Sequence, residues 1–378
     1  MQSVSNHGSL VTNQSRRLMF VVGEASADAH AAELIKCLRT QAPGCQVFGA
    51  GGSKMKAAGM ELLVDLTEHA VVGVVEPLRN YFNLKRIFNS LLAEAERRRP
   101  DALVLVDFSG FNLRFASAVK SRLPSTKIIY YISPQVWASR PGRARRIERD
   151  VDLMLCIFPF EKDWYAKHAP KLKVEFVGHP FAERIRESGV RSQKLDKLIL
   201  LLPGSREREV KKIWPIMAKV VDLMPDDVRF VAAAVNRAMA AKMKHTRVTV
   251  EVGKAQELMQ RATIAITKSG TATMECAFHG CPMVVVYKVN WLTYLVGRMV
   301  VTVNWLAMPN VIANRAVVPE FIQGDAKPDR VAAVVREFLE NAAKREAMQK
   351  ELASVVSDLG DPGASERAAR LILAANER

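Results

Sequence analysis

Apolar strand-like runs alternate with helical patterns along nearly the whole of this 378-residue chain, in two successive series. Strands separated by helix-length segments cannot pair as hairpins and must be joined by crossovers, so the rhythm calls for parallel α/β architecture. In the first series strands read near 18–23, 46–50, 102–106, 127–131, 152–157 and 174–177, with helices near 28–40, 78–98, 111–122, 142–149 and 160–168. Gly178-His179-Pro180 closes this series, and the polar stretch from Arg184 to Asp196 reads as a linker. The second series sets strands near 197–202, 228–234, 247–251, 263–266 and 283–287, and helices near 208–222, 236–244, 255–261, 271–279 and 328–347. Gly360-Asp361-Pro362-Gly363 then breaks the chain before a last helix, near 364–376. The expectation is an α/β fold of two doubly wound units with a ligand cleft between them. Its bounds are a disordered leader at 1–16, units at 17–185 and 186–360, and a terminal segment at 361–378 that packs back on the first unit or on a partner chain.

With 55 Lys and Arg against 39 Asp and Glu, the chain carries a formal charge of +16. That charge implies attraction to phosphate-rich partners: nucleic acid, anionic membrane or a phosphorylated substrate. No aromatic RNP-like stripe, helix-turn-helix pattern or zinc module supports nucleic acid. Cys37, Cys45, Cys156, Cys276 and Cys281 are odd in number and form no CxxC pair, a pattern that fits buried thiols in a reducing compartment. Cys276, His279 and Cys281 have no suitably spaced fourth ligand, so no metal is expected. The most hydrophobic segment, Met283 to Met308, is interrupted by Lys288, Asn290, Arg298 and Asn304 and reads as a buried strand followed by an amphipathic helix rather than a membrane span.

Three turns and one carboxylate carry candidate chemistry. The strand at 264–267 runs through Lys268-Ser269-Gly270-Thr271-Ala272 into a helix with Glu275 one turn in. Helix N-termini present unpaired N–H groups and a positive dipole end, which suits phosphate, while a carboxylate one turn later can hold ribose hydroxyls. An ordinary capped strand-to-helix turn fits the same residues. At Gly204-Ser205-Arg206 the arginine is placed either to clamp phosphate or to pair on the surface. Within Gly23-Glu24-Ala25-Ser26-Ala27-Asp28, the glycine and serine can face a ligand and Asp28 can cap the following helix. Asp107 ends the strand at 102–106, as a general base facing the cleft or as a helix cap. Arg140, Arg143, Arg145, Arg146 and Arg149 form a basic helical face, solvated or meeting anionic lipid. A helix mixing Leu78, Tyr81, Phe82, Leu84, Ile87 and Phe88 with Arg79, Lys85 and Arg86 follows Val71 to Val75 and faces either core or interface. Walker A and serine-elbow patterns are absent.

In this order the pieces resemble the lipid-A-disaccharide synthase family, from about Arg17 to Arg370. The match extends through Phe111-Asn112-Leu113, Tyr131-Ile132-Ser133-Pro134-Gln135-Val136-Trp137-Ala138, Pro159-Phe160-Glu161-Lys162 and Gly178-His179-Pro180. It continues in Met308-Pro309-Asn310-Val311-Ile312-Ala313-Asn314-Arg315 and Pro319-Glu320-Phe321-Ile322-Gln323. The resemblance implies a GT-B fold of two Rossmann-like domains that joins a UDP-diacylglucosamine donor to a diacylglucosamine 1-phosphate acceptor by a β-1,6 bond, without a cofactor or metal. It implies catalytic roles for Asp107 and Arg206. The donor site would comprise Gly204, Ser205, Arg206, Lys268, Ser269, Gly270, Thr271, Ala272, Glu275, Asn310 and Gln323. The acceptor side would hold Gly23, Glu24, Ser26, Asp28, Asn112, Ser133 and Gln135. It further implies a cytoplasmic protein lying peripherally on an anionic membrane, as monomer or homodimer, with no nucleic-acid partner. Two departures stand out: the family's Asp-Ala-Pro-Asp/Glu-Phe-Asn is here Asp107-Phe108-Ser109-Gly110-Phe111-Asn112, lacking the second acid, and Ala27 replaces a common glycine. A related transferase or a sugar-nucleotide epimerase acting on an unacylated UDP-sugar is the alternative.

Overall fold

A computed structural model describes residues 16–67, 77–182 and 197–375. The leader, the Val71 to Val75 segment and the linker from Arg184 to Asp196 lie outside the described residues. The first sheet comprises β1 (Arg17–Val22), β2 (Gln46–Gly51), β3 (Glu61–Asp65), β4 (Ala102–Val106), β5 (Lys127–Tyr131), β6 (Leu153–Cys156) and β7 (Lys173–Phe176). All are parallel, in the order β3-β2-β1-β4-β5-β6-β7. The second comprises β8 (Leu198–Leu202), β9 (Arg229–Ala234), β10 (Val248–Val252), β11 (Ile264–Lys268), β12 (Met283–Tyr287) and β13 (Glu320–Ile322). It is again parallel, in the order β10-β9-β8-β11-β12-β13.

Helices cover both faces of each sheet, which is why the central strands are apolar without alternation. Every residue of β4 and β8 is buried. Each sheet reverses its winding once, between β1 and β4 and between β8 and β11, and a crevice opens at such reversals outside the strands' carboxyl ends. Val22 is level with Val106 and Leu202 with Thr267, so the loops leaving those strands emerge side by side.

Short and edge elements escaped the sequence reading. The missed strands are β3, half-buried along most of its length, and the three-residue β13. Three missed helices, Ser53–Ala57, Val136–Ser139 and Met308–Ala313, are too short to show a period. The helix read over 328–347 is two, Pro328–Glu340 and Ala342–Ser357, because the Asn341 side chain accepts from the Lys344 N–H and restarts the helix. The segment near 236–244 forms only Arg237–Ala240, capped by Asn236.

Asp28 requires a correction on two counts. It lies inside the helix Ala25–Gln41, and its buried carboxylate accepts from the backbone N–H of Gly52 (2.8 Å), Lys54 (3.1 Å) and Met55 (3.3 Å). It therefore caps the helix Ser53–Ala57 rather than its own, and its oxygens are engaged by backbone rather than turned to an acceptor.

Among the described residues the two units touch in several places. Phe278, on the helix Thr271–Phe278, packs its ring 5.1 Å from Phe181 and 5.3 Å from His179. Burial pushes His179 down to about 3, so it packs there as a neutral ring. The Thr302 hydroxyl donates to the Trp137 carbonyl (2.7 Å), and its N–H donates to that of Ala138 (2.9 Å). The last helix, Ala364–Ala374, returns to the first unit and lies on Ala25–Gln41, where Gln41 donates to the Glu366 carbonyl (3.1 Å) and Arg367 to that of Val177 (2.9 Å).

Asp28→Ala removes one cap and strands three backbone donors, and should lower stability by about 2 kcal/mol. Urea unfolding followed by tryptophan fluorescence should show this as a lower midpoint, with the activity of the remaining folded enzyme unchanged.

Candidate active site

Asp107 and Phe108, the first residues past β4, both adopt left-handed backbone at φ 48°, a conformation few non-glycine residues take. Several groups hold it. The Asn112 amide donates to the carbonyls of Asp107 (2.8 Å), Val106 (3.2 Å) and Val21 (3.3 Å), and the Tyr130 hydroxyl donates to the Asp107 carbonyl. Phe108 lies over Gly23, where an added Cβ would sit 2.3 Å from its ring; this close approach requires glycine. Phe111 stacks beneath Phe108 at 5.6 Å. Through its amide N–H groups Asn112 is thus a buried clamp on the backbone that aims Asp107.

The carboxylate so aimed has an altered charge balance. Burial, and then the charge of Glu24, push Asp107 up to about 6, against the opposing pull of the Phe108 N–H and Arg206. Arg206 comes from the other unit: it reaches across the cleft to within 3.7 Å of Glu24, with 71% of its side chain exposed. An ion pair this exposed is worth at most about 1 kcal/mol, so the guanidinium is free to turn to a ligand.

On the Arg206 side two loops meet at Glu209, a residue of the helix start that the sequence assigns no role at the site. One of its oxygens accepts from the N–H of Ser205 (3.2 Å) and Arg206 (3.4 Å), and the other binds the Lys268 ammonium at 2.9 Å. Burial opposes the charge, but Lys268 and the two N–H groups hold the Glu209 carboxyl below the usual range. Gly204 (φ 124°) admits this geometry, since a Cβ there would lie 2.5 Å from the Glu209 carboxylate. The available signal was the Arg206-x-x-Glu209 spacing at the start of the helix Glu207–Asp222, where an acid at the third helical position reaches back to the cap.

Lys268 is placed over the second loop. A Cβ on Gly270 (φ 148°) would lie 3.4 Å from its ammonium, at the start of the helix Thr271–Phe278. Thr271 is exposed there, Ala272 and Glu275 are half-buried, and Thr273 bonds back to the Gly270 carbonyl at 2.7 Å. A cation and free N–H groups thus face one small space, the arrangement an anion needs.

Three residues expected at the donor are committed elsewhere. Ser269 donates to the Leu306 carbonyl (2.8 Å). Asn310, fully buried, donates to Val318 (2.9 Å) and Glu320 (2.8 Å) and accepts from the N–H of Val317 (2.7 Å) and Val318 (2.8 Å). Gln323 makes paired bonds to Val289 at 2.9 and 3.0 Å. All three brace loops with their polar atoms, because strand-end loops this irregular need side chains to satisfy the backbone.

Among the acceptor-side residues, Ser26 and Gln135 are exposed and Glu24 is partly so. Ser133 is buried 3.0 Å from the Tyr165 hydroxyl. Below it lies a second residue assigned no role from sequence: Glu161 accepts from Trp137 Nε1 (2.9 Å) and the Phe158 N–H (3.1 Å), and burial raises it to about 7. Among the described residues no group of three or more His, Cys, Asp and Glu could hold a metal ion.

Two parallel sheets with paired loops facing one cleft define a GT-B-type fold, and solved structures agree. UDP-GlcNAc 2-epimerase from Neisseria meningitidis, bound to UDP-GlcNAc, superposes with a TM-score of 0.67 at 14% identity, covering 95% of this chain and all (100%) of that one. The glycosyltransferase of kitacinnamycin superposes at 0.61 with 17% identity, covering 96% and 99%. Sequence narrows the class. The profile of the lipid-A-disaccharide synthetase family matches residues 18–375. The lipid-A-disaccharide synthase of Geobacter sulfurreducens is 38% identical, covering 96% of this chain and 98% of its own, and that of Myxococcus xanthus is 36% identical, covering 94% and 97%. The chain belongs to the lipid-A-disaccharide synthetase family.

If Asp107 must be ionised to act, kcat/KM should rise with pH through about 6. Glu24→Gln removes the like charge that helps raise Asp107, so this limb should move to lower pH; an unmoved limb in a pH–rate profile would separate Glu24 from Asp107.

Proposed function

We propose that Asp107 is the general base of this family's reaction and that the Lys268 loop holds the donor's diphosphate. The enzyme transfers 2,3-diacylglucosamine from its UDP derivative to 2,3-diacylglucosamine 1-phosphate, forming the β-1,6-linked disaccharide 1-phosphate and UDP. Asp107 takes the proton of the acceptor's 6-hydroxyl as that oxygen attacks the donor's anomeric carbon from the face opposite UDP. One displacement inverts the configuration. Negative charge grows on the departing diphosphate, where Arg206, Lys268 and the N–H groups at the start of Thr271–Phe278 stabilise it, while Glu275 accepts from the ribose hydroxyls. One observation carries this reading: a partly desolvated carboxylate at one sheet's winding reversal faces an arginine from the reversal of the other. Full-length identity with disaccharide synthases favours transfer over the epimerase alternative. Asp107→Asn should lower kcat by roughly 10²- to 10⁴-fold while UDP affinity measured by calorimetry stays at the parent value. Retained turnover removes Asp107 from the chemistry.

Both substrates carry acyl chains, and we infer that the protein meets them as a peripheral protein on the cytoplasmic face of an anionic inner membrane. Among the described residues no helix is long and apolar enough to cross a membrane. The helix Trp291–Val300 instead exposes Trp291 (63%) and Met299 (79%) with Leu295, beside Lys288 and Arg298. On Pro77–Arg98, Phe82 is exposed with Lys85 and Arg86. Apolar side chains ringed by cations suit an anionic interface. Changing Trp291 and Met299 together to serine should weaken sedimentation with phosphatidylglycerol vesicles by about tenfold or more. Unchanged binding would place the membrane contact elsewhere.

A further inference from the structure

Four arginines of the first unit take no part in the chemistry above. Arg143 and Arg146 lie three residues apart along the 3-10 turn Pro141–Arg143 and the helix Ala144–Asp150, so they share a side, and Arg140 immediately precedes the turn. Arg114 comes from the helix Ser109–Arg122, which packs against Ala144–Asp150 and begins two residues after Asp107. Burial, and then the like charges of Arg140, Arg146 and Arg114, hold the Arg143 guanidinium below the usual range against a smaller opposing pull from Tyr130. Among the described residues Arg114, Arg140 and Arg143 have no carboxylate partner. Arg146 has only the edge of Asp150, 3.7 Å away, and both Asp150 oxygens are already taken by Arg149 at 2.7 and 2.8 Å.

Clustered like charges with so little counter-charge work against the fold, and most other arginines among the described residues find carboxylates or carbonyls. Their place is informative too. Arg143 lies beside Tyr130, whose hydroxyl bonds to the carbonyl of Asp107, so one tyrosine separates the cluster from the proposed base.

We propose that Arg114, Arg140, Arg143 and Arg146 form a seat for a phosphate monoester, that of the sugar 1-phosphate acceptor whose hydroxyl reaches Asp107. This rests on the reaction proposed above. A phosphate dianion offers oxygens to several guanidinium forks at once and relieves their repulsion. On a hexose 1-phosphate the anion and the 6-hydroxyl lie across a single sugar ring, so holding the one aims the other. The seat thus sets which end of the acceptor is presented, and it selects phosphorylated acceptors.

The test compares wild type, Arg143→Ala, Arg140→Ala and Arg143→Lys with diacylglucosamine 1-phosphate and with its dephosphorylated analogue. In the alanine variants, KM for the phosphorylated acceptor should rise roughly 10- to 100-fold, the loss expected for charge-assisted hydrogen bonds, with the donor KM unchanged and lysine restoring part of the loss. With the dephosphorylated analogue, wild type and variants should match. Thermal midpoints should stay at or above the wild-type value, since repulsion is removed. Equal losses on both acceptors, or a clearly lowered midpoint, would overturn the proposal by assigning the arginines to packing. Reduced sedimentation with phosphatidylglycerol vesicles at an unchanged acceptor KM would overturn it in favour of bilayer phosphate. Calorimetry with glucosamine 1-phosphate decides the seat independently of turnover: binding in wild type and none in Arg143→Ala supports it even if transfer to either acceptor fails, and equal binding in both sinks it.

Discussion

A carboxylate kept from water, beside one like charge and opposite a cation from the other half of the molecule, sets the terms for the rest of this structure. Asp107 could not hold that position on an ordinary strand end. Two successive left-handed residues turn it out of β4, and the Asn112 amide, the Tyr130 hydroxyl and the close fit of Phe108 on Gly23 fix the turn. Left-handed backbone at two bulky residues costs free energy, which the buried hydrogen bonds and aromatic packing beneath them offset. The strain is local and falls where two loops meet at the reversal of the sheet's winding, the position the fold leaves open for ligand.

The second half solves a different problem, that of holding cations ready for a diphosphate without letting them collapse onto the nearest acid. Glu209 does this by dividing its oxygens: one ties down the backbone of Ser205 and Arg206, the other holds Lys268. The lysine is thereby stationed over Gly270 and the start of Thr271–Phe278, while Arg206 stays loosely engaged across the cleft. A fixed lysine and a free arginine make sense together, since preorganised charge lowers the cost of reorganisation and a mobile fork can follow the leaving group.

Much of this was legible in the residues. Alternation of buried apolar runs with amphipathic helices reveals both sheets because helices cover both faces of each one, and the chemistry-bearing turns stand out because they interrupt those runs. What remained hidden has a common cause: amides and carboxylates that bind backbone look, in sequence, like ligand contacts. Asp28, Asn112, Ser269, Asn310 and Gln323 carry the residue types of a binding site, yet the hydrogen bonds they make go chiefly to N–H and C=O groups of nearby loops. Glu209 and Glu161 are the converse, acids in helix-start positions whose partners lie on distant segments, Lys268 for one and Trp137 for the other. Short edge elements such as β13 lack the length to display a period at all.

A structure of the enzyme with UDP bound decides whether the Lys268 loop is the diphosphate seat. Both phosphates should lie over the Gly270 and Thr271 N–H groups, within hydrogen-bonding reach of Lys268 and Arg206, with Arg206 turned away from Glu24 and the ribose toward Glu275. Phosphates seated on any other loop, with Lys268 still closed on Glu209 and Arg206 unmoved, would contradict that assignment.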